Sequence, residues 1–339
     1  MPRPDSATTA EHLILAGDIG GTKSNFALFE PAGPGQAGRP HGEASFPTDG
    51  FPSFVTLLET YRAEHSAPIT EAAFGVAGVV DEGHAEGTNL PWTIDAAVTA
   101  RALGLPRIGL MNDLVATAHG IPALGPEDLE TLQTGRPSPD GNAGLLAAGT
   151  GLGEATIARH RGDWIPIASE GGHADFAPRT DEEIDLFREL RAKYGRVSYE
   201  RILSGPGLVD LGRWVHARTG NEAWTKHEAQ GAREDLAGVV SRTALEGSCP
   251  DCVRALERFT AVYGAEAGNL ALRGVATAGI YLGGGIAPKI LPALRKGPFL
   301  EAFRDKEPHR EFLSRIPVHV IRNQRAAVLG AARYASLGL

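Results

Sequence analysis

Short apolar runs and longer helical patterns follow each other along the chain, and glycine-rich turns follow several of the runs. Residues 13–17 and 25–30 predict two strands on either side of the turn at residues 18–24, and the Gly- and Pro-rich residues 31–42 predict a loop. Further apolar runs predict strands at residues 72–76, 107–111, 145–148, 155–159, 277–282 and 317–321. Helical spacing and the capping residues at 180 and 183 predict helices at residues 51–65, 94–103, 180–194, 208–219, 233–247, 252–273 and from about residue 324.

This alternation of strands and helices predicts an α/β protein with two sheets, each followed by helices. A length of 339 residues is typical of two domains that each bury a core. We place the main boundary after the strand at 107–111. The predicted small α/β domain then comprises residues 1–111 and 325–339, and the predicted large α+β domain comprises residues 112–324.

Composition narrows the function classes. Hydrophobic residues make up 42% and charged residues 22% of the chain, as in globular proteins. The net charge of -8 argues against a nucleic-acid partner, since no basic surplus can neutralise phosphates. A small phosphate ligand stays possible, because backbone N–H groups can bind one without lysine or arginine.

The cysteines and the apolar stretches bear on location. Cys249 and Cys252 cannot form a disulfide framework, which fits a reducing compartment. The N-terminal residues are polar and resemble no signal peptide, and no apolar stretch is long enough to span a bilayer. We therefore expect a cytoplasmic protein with no membrane partner.

Three glycine-rich turns carry candidate phosphate chemistry. Glycine lets backbone N–H groups approach an anion closely, threonine adds a hydroxyl donor, and Asp18 can hold Mg²⁺, in part through water. A single such turn is more often only a tight turn, and neither a P-loop nor Rossmann spacing is present. The candidate nucleotide-binding residues are Asp18, Gly20, Gly21, Thr22, Lys23, Gly149, Thr150, Gly151, Gly153, Gly283, Gly284 and Gly285.

Seven segments, in order and over most of the chain, resemble one family. DIGGTKSNFAL from residue 18, AAGTGLGEA from residue 147 and GIYLGGGIAP from residue 279 resemble the phosphate and adenosine motifs of the sugar kinase/actin superfamily. TNLPW, MNDLVATAHGI, SEGGHADFAP and RVSYERILSGPGLVDL, from residues 88, 111, 169 and 196, resemble bacterial glucokinases. The resemblance implies a two-domain actin-like (ribonuclease H-like) sugar kinase fold with an active-site cleft between the domains.

The same resemblance implies a reaction and its residues. It implies transfer of phosphate from ATP, with Mg²⁺, to the 6-hydroxyl of D-glucose, with Asp113 as the base, and a homodimer. It also implies that the sugar hydroxyls contact Asn89, Asn112, Glu170, His173 and Glu200. From the residues alone, Asn112 and Asp113 could merely cap a helix, Glu200 could be a solvated helix residue and His173 a core histidine.

A zinc site is the alternative for His173. In a related repressor and kinase group, the histidine of a similar motif binds zinc together with a C-x-C-G-x-x-G-C cluster. That cluster is absent here, and Cys249 and Cys252 have the spacing of half a zinc knuckle without a second pair. We interpret both cysteines as structural and leave His173 for the sugar.

Other functions stay open at this stage. The protein could phosphorylate another hexose, or use another donor such as polyphosphate. It could be a sugar-sensing regulator, although such regulators usually carry an N-terminal helix-turn-helix and only about a dozen residues precede the first predicted strand here. An actin-like filament protein would not need the EGGH segment or the Asn-Asp pair.

Overall fold

The computed structural model describes residues 13–87, 90–231 and 235–338. These residues form two compact units. The first runs to Gly125 and resumes at Asn323, and the second runs from Pro126 to Arg322. The domain boundaries expected above, at 111/112 and 324/325, stay a prediction.

Elements are numbered in chain order. The first unit contains β1 (Leu13–Ile19), β2 (Lys23–Phe29), β3 (Pro40–Pro47), α1 (Phe54–Glu64), β4 (Ile69–Val76), β5 (Val79–Asp81), β6 (His84–Glu86), β7 (Ile94–Asp95), α2 (Ala96–Leu103), β8 (Gly109–Asn112) and α3 (Asp113–Gly120). The second contains β9 (Leu129–Gln133), β10 (Ala143–Ala148), β11 (Leu152–His160), β12 (Asp163–Ser169), α4 (Asp181–Tyr194), α5 (Gly205–Thr219), α6 (Glu222–Gly231), α7 (Leu236–Glu246), α8 (Pro250–Gly274), β13 (Gly279–Gly283), α9 (Leu291–Arg295), α10 (Pro298–Arg304), α11 (Arg310–Ser314) and β14 (Val318–Ile321). The chain then returns to the first unit with α12 (Ala326–Ser336).

The main sheet of the first unit has the strand order β3-β2-β1-β4-β8. β1, β4 and β8 are parallel, so their carboxyl ends lie along one edge. Side chains alternate between the two faces of a strand. Leu13 and Leu15 therefore pack on the core that contains α1, and Ile14 and Ala16 pack on the core that contains α3 and α12.

Small residues bring α3 and α12 into close contact. A Cβ atom added to Gly120 would lie 2.0 Å from the carbonyl oxygen of Ala326, and one added to Gly330 would lie 1.7 Å from that of Ala116. Glycine alone allows backbones to approach this closely. The helix that begins at Asp113 is therefore held against the sheet by a second helix.

The main sheet of the second unit has the strand order β12-β11-β10-β13-β14-β9. β10, β13 and β14 are parallel, and β11 and β12 extend the sheet as antiparallel strands. A large apolar core joins this sheet to residues of α5, α7, α8 and α10. The most extensive helix, α8, is buried along much of its length.

Most of the predicted strands and helices are confirmed, with shifts at their ends. The loop predicted at residues 31–42 ends earlier, because residues from Pro40 pair with β2 as an edge strand that has a proline at each end. The helix predicted at 208–219 begins at Gly205, because Ser204 accepts a hydrogen bond from the Gly207 backbone N–H and caps it. Residues 233 and 234, the first two of the helix predicted at 233–247, lie outside the described part of the chain.

Candidate active site

Two carboxylates lie at the carboxyl edge of the parallel strands in the first unit. Asp18 is near the end of β1 and Asp113 directly follows β8, with one strand, β4, between them. Burial raises the pKa of Asp18 to about 6, and the neighbouring Asp113 carboxylate contributes to the rise. Burial also raises the pKa of Asp113. The two groups are close enough to repel each other, so a cation would stabilise their ionised forms.

Asn112 is the cap residue of α3. Its side-chain oxygen accepts a hydrogen bond from the Leu114 N–H at 2.8 Å, and its amide nitrogen donates to the Gly78 carbonyl oxygen at 2.9 Å. The capping interpretation is thus confirmed for Asn112. Asp113 is the first helical residue and also accepts from the Leu114 N–H, at 2.9 Å. Capping leaves part of each side chain's hydrogen-bonding capacity for a substrate.

The first glycine-rich turn connects β1 and β2. It is closed by a hydrogen bond from the Gly20 N–H to the Lys23 carbonyl oxygen at 3.0 Å. Thr48 anchors it from outside, because its hydroxyl donates to the Gly20 carbonyl at 2.7 Å and its N–H donates to that of Thr22 at 3.0 Å. Thr22 and Lys23 are exposed and Gly21 is half-buried, so this turn faces solvent with a fixed backbone.

The second glycine-rich turn connects β10 and β11. The N–H of Gly149 donates to the carbonyl of Gly151 at 2.8 Å, and the Gly149 carbonyl accepts from the Gly205 N–H at 2.9 Å. That last bond joins the turn to the start of α5. Thr150 is exposed at the tip of the turn, whereas Gly153 lies inside β11.

The third glycine segment follows β13. Gly283 is the last residue of that strand, and Gly284 has a φ of +78°. A Cβ atom at Gly284 would lie 2.3 Å from the Ala148 carbonyl oxygen, whereas one at Gly285 would meet nothing within 4 Å. The backbone conformation and the close Ala148 carbonyl therefore require a glycine at position 284, whereas Gly285 leaves open space next to the second turn.

A cavity of about 660 Å³ lies where these parts of the second unit meet. Gly149, Thr150 and Gly285 line it, as predicted candidates for nucleotide contact. The beginnings of α5 and α7 also line it, and the backbone N–H groups at helix beginnings favour anions. Sequence reasoning missed the other polar lining residues, Asp235, Ser241 and Lys289, and the apolar residues Leu208, Ile286 and Ile290.

The predicted sugar ligands of the second unit are brought together. His173 lies between two carboxylates, with Nε2 3.9 Å from Glu170 Oε2 and Nδ1 3.8 Å from Glu200 Oε1. The side chains of Glu170 and His173 are 79% and 55% exposed, and that of Glu200 is 30% exposed. His173 is therefore not a core histidine, and Glu200 is not a freely solvated residue.

Glu200 also contacts the second glycine-rich turn. Its Oε2 accepts a hydrogen bond from the Leu152 N–H at 3.0 Å, and a Cβ atom on Gly151 would lie 2.5 Å from the same oxygen. One carboxylate thus contacts both the phosphate-type turn and the side chain of His173. The remaining predicted ligand, Asn89, lies outside the described residues. Three residues further along the sequence, the Trp92 indole N–H donates to the Phe51 carbonyl at 3.0 Å.

Both cysteines are buried at the beginning of α8. Cys249 is the cap residue, and its sulfur accepts from the Cys252 N–H at 3.3 Å. Burial raises the pKa of the Cys252 thiol to about 12, with a contribution from Cys249, which disfavours the thiolate that a metal requires. The structural interpretation of the pair is supported. Over residues 13–87, 90–231 and 235–338, no cluster of three or more His, Cys, Asp or Glu side chains could hold a metal ion, and no helix could span a membrane.

Comparisons with known proteins agree on one family. The family model described as Glucokinase matches residues 15–337. A curated glucokinase of Synechocystis is 38% identical over 94% of this chain and 96% of its own length. The crystal structure of a glucokinase from an Antarctic psychrotroph has a TM-score of 0.82 at 29% identity and covers 95% of this chain and 98% of that one.

A more distant structure shares the fold. A ROK family glucokinase from Streptomyces griseus, solved in complex with glucose and AMPPNP, has a TM-score of 0.64 at 22% identity and covers 95% of this chain and 99% of that one. With the psychrotroph structure, it confirms the predicted α/β sugar kinase fold of the actin-like type.

Proposed function

The chain belongs to the glucokinase family, and on that premise we propose that it transfers the γ-phosphoryl group of ATP to the 6-hydroxyl of D-glucose, giving glucose 6-phosphate and ADP. The observation that carries this proposal is the double contact of Glu200. The same carboxylate accepts from the backbone of a phosphate-type turn and lies 3.8 Å from His173. Phosphoryl transfer to a sugar requires that a residue that binds the sugar lies next to a turn that binds the phosphates.

Asp113 is the general base of the proposed reaction. Its carboxylate accepts the proton of the 6-hydroxyl as the oxygen bonds to phosphorus and the bond between the γ-phosphorus and the bridging oxygen of ADP breaks. Its position at the end of β8, with α3 packed on α12, fixes the carboxylate rigidly. A raised pKa suits a base, because proton transfer is most efficient when the pKa approaches the working pH.

The sugar hydroxyls are bound by Asn112, Glu170, His173 and Glu200, and by Asn89, in this proposal. Carboxylate and imidazole groups suit hexose hydroxyls, each of which donates and accepts. The structure of the Streptomyces griseus relative contains glucose and AMPPNP, which supports a sugar and an adenine nucleotide as the two ligands here.

In this proposal the nucleotide binds with its phosphates at the glycine-rich turns, and the 660 Å³ cavity of the second unit supports that position. Ile286 and Ile290 offer apolar surface for a base, and Lys289 offers a positive charge. The proposed phosphate contacts are Gly20, Gly21, Thr22 and Lys23 in the first turn, Gly149, Thr150, Gly151 and Gly153 in the second, and Gly283, Gly284 and Gly285 in the third.

Mg²⁺ fits the strand-end carboxylates. The pKa of Asp18 is raised in part by Asp113, so added positive charge would relieve a repulsion that is present in the protein. Mg²⁺ sites in kinases need only one or two carboxylates besides phosphate oxygens and water, and Asp18 is the proposed ligand. The ion, when bound, would offset negative charge on the transferring phosphoryl group. The Asp18 carboxylate would hold the ion, in part through water.

A cytoplasmic location and a homodimer complete the proposal. The homodimer rests on the family resemblance alone and can be measured by light scattering. The location rests on the resemblance and on the two cysteines, which fit a reducing compartment, and it can be measured by cell fractionation.

A coupled assay of the purified protein, with several hexoses and with ATP or polyphosphate as donor, tests the proposed function. We expect turnover with glucose and ATP above that with other pairs. Turnover with another hexose or donor would show that the protein is a kinase with a substrate other than the proposed one. Glucose binding without any phosphorylation would instead favour the sugar-sensing regulator.

A further inference from the structure

Two buried carboxyl groups share one arginine beneath the sugar-ligand segments. Glu154 on β11 and Glu266 on α8 are 1% and 0% exposed. One terminal nitrogen of Arg273, in the last turn of α8, donates to Glu154 Oε2 at 3.0 Å and also to Glu266 Oε1. Desolvating such a group costs several kcal/mol per ion. A purely stabilising role is therefore a poor explanation for the Glu154–Glu266–Arg273 cluster.

The first contact of this cluster is with the segment that carries Glu170 and His173. A Cβ atom on Gly171 would lie 2.5 Å from Glu154 Oε2, so the backbone of the segment lies directly on the carboxyl group. The Gly171 N–H donates to the Ser169 hydroxyl at 2.9 Å, and Ser169 is the register partner of Glu154 in the sheet. The segment therefore packs directly against the Glu154 carboxyl group.

The second contact is with the segment that carries Glu200. The Asn269 amide nitrogen donates to Glu266 Oε2 at 2.8 Å and to the Tyr199 hydroxyl at 3.0 Å. Tyr199 directly precedes Glu200, and its N–H donates to the Ala174 carbonyl at 3.0 Å. The cluster thus reaches both segments whose side chains converge on His173.

We propose that Glu154, together with Glu266 and Arg273, is a positioning residue for glucose binding, because the cluster holds residues 170–173 and 199–200 in the arrangement that places His173 between two carboxylates. This inference rests on the proposed function of the same site. It assigns a role to residues that do not touch the sugar.

The charge of the cluster adds a dependence on pH. Burial, and secondly the Glu266 carboxylate, raise the pKa of Glu154 to about 8, against the opposing charge of Arg273. Two carboxylates with one guanidinium carry an excess negative charge, which a single proton neutralises. The other titratable groups nearby are Tyr199 and, through Asn269, Lys306, with Glu170, His173 and Glu200 on the overlying segments. Loss of the proton at alkaline pH leaves an uncompensated charge under Gly171 and weakens glucose binding.

The test compares kcat and the KM values for glucose and ATP in the wild type, Glu154→Gln and Glu154→Ala, from about pH 6.5 to about pH 9. Truncation to alanine should raise the glucose KM about tenfold or more, through misplacement of the sugar ligands, with an ATP KM changed less than about twofold. The glutamine variant mimics the protonated carboxyl. It should keep the glucose KM of the wild type near neutral pH and lack the alkaline increase.

Asp251→Asn is the matched control. Asp251 is a 1% exposed carboxylate on α8, the helix that also carries Glu266 and Arg273, and its partners are His216 and Thr219. Its variant should change the stability and leave the glucose KM and its pH profile unchanged.

Two results would overturn the proposal while glucokinase activity stands: a folded Glu154→Ala protein with a normal glucose KM, or a glutamine variant with the wild type's alkaline increase. If the alanine variant does not fold, the pH profile of the glutamine variant decides. A wild type that phosphorylates no glucose would overturn the proposed function, and this inference with it.

Discussion

Two groups of candidate site residues differ in how the structure holds them: the strand-end carboxylates of the first unit and the predicted sugar ligands of the second. Asp18 and Asp113 are half-buried at the edge of a sheet, and burial raises the pKa of both. Glu170 and His173 are mostly exposed on a short turn that packs against the buried cluster beneath it. We infer from this difference that the two units have separate roles in the proposed reaction: the first provides the base for the chemical step, and the second provides affinity for the sugar.

The largest expected effect follows replacement of Asp113, the proposed base. Asp113→Asn should lower kcat by about 10²–10⁴ or more, because the amide cannot accept the proton, while glucose still binds. Steady-state kinetics and calorimetric glucose titration check this. Asp95→Asn is the control, since Asp95 caps α2 in the same unit through the Val98 N–H. Near-normal turnover of the Asp113 variant would remove that residue from the role of base.

His173→Ala should act mainly on affinity. If His173 bonds a sugar hydroxyl as proposed, loss of its side chain should raise the glucose KM about 10- to 100-fold with a much smaller change in kcat. The side chain is 55% exposed, so the fold should tolerate the change. His160→Ala, at the exposed end of β11, is the control. A fall in kcat at unchanged glucose KM would contradict the inference that the second unit provides sugar affinity and the first unit the chemical step.

The third glycine segment offers a stability test within the second unit. Gly284→Ala should lower the free energy of unfolding by about 1–3 kcal/mol, because φ is +78° and a Cβ atom would lie 2.3 Å from the Ala148 carbonyl oxygen. Gly285→Ala, where a Cβ atom meets nothing within 4 Å, should leave the stability nearly unchanged. Urea denaturation compares the two variants, and equal stabilities would show that the backbone does not constrain this segment.

His119 lies in the helix that begins at Asp113, and its effect on stability depends on pH. Burial, and secondly the charge of Arg333, lower the pKa of His119 from 6.5 to about 4. The unfolded chain gains this proton first on acidification, so the contribution is present above about pH 6.5 and is lost as the pH falls to about 4. The wild type should lose up to about 3 kcal/mol of stability over this range in excess of His119→Gln. Urea denaturation measures the free energy of unfolding of both proteins at each pH. If it falls equally in both as the pH falls, His119 is not the group responsible.

Much of this molecule could be predicted from sequence because its signals are local. The glycine-rich turns, the strand that ends at Asn112 and the helix cap at Thr180 each depend on a few neighbouring residues. The helix starting at Gly205 began three residues earlier than predicted, although Ser204 and Pro206 were a usable signal. The cavity of about 660 Å³ was not predictable, since its lining comes from separate parts of the chain.

The buried acidic cluster shows the limit of that reasoning. Glu154 follows the second glycine-rich turn by one residue and would be expected to face solvent, as glutamates usually do. Its burial depends on the register of β10, β11 and β12 and on α8, which brings Arg273 from 119 residues away. No local pattern contains that information. Likewise, the two glycines of EGGH are explained only by what lies beneath them, Glu154 under Gly171 and the Leu152 backbone under Gly172.

The division of work between the two units is tested most directly by measuring kcat and the glucose dissociation constant of Asp113→Asn and His173→Ala side by side. We expect the first variant to lose turnover and keep its affinity for glucose, and the second to lose affinity and keep most of its turnover. A change of the same parameter in both variants, or wild-type turnover of glucose by the Asp113 variant, would show that the two units do not have these separate roles.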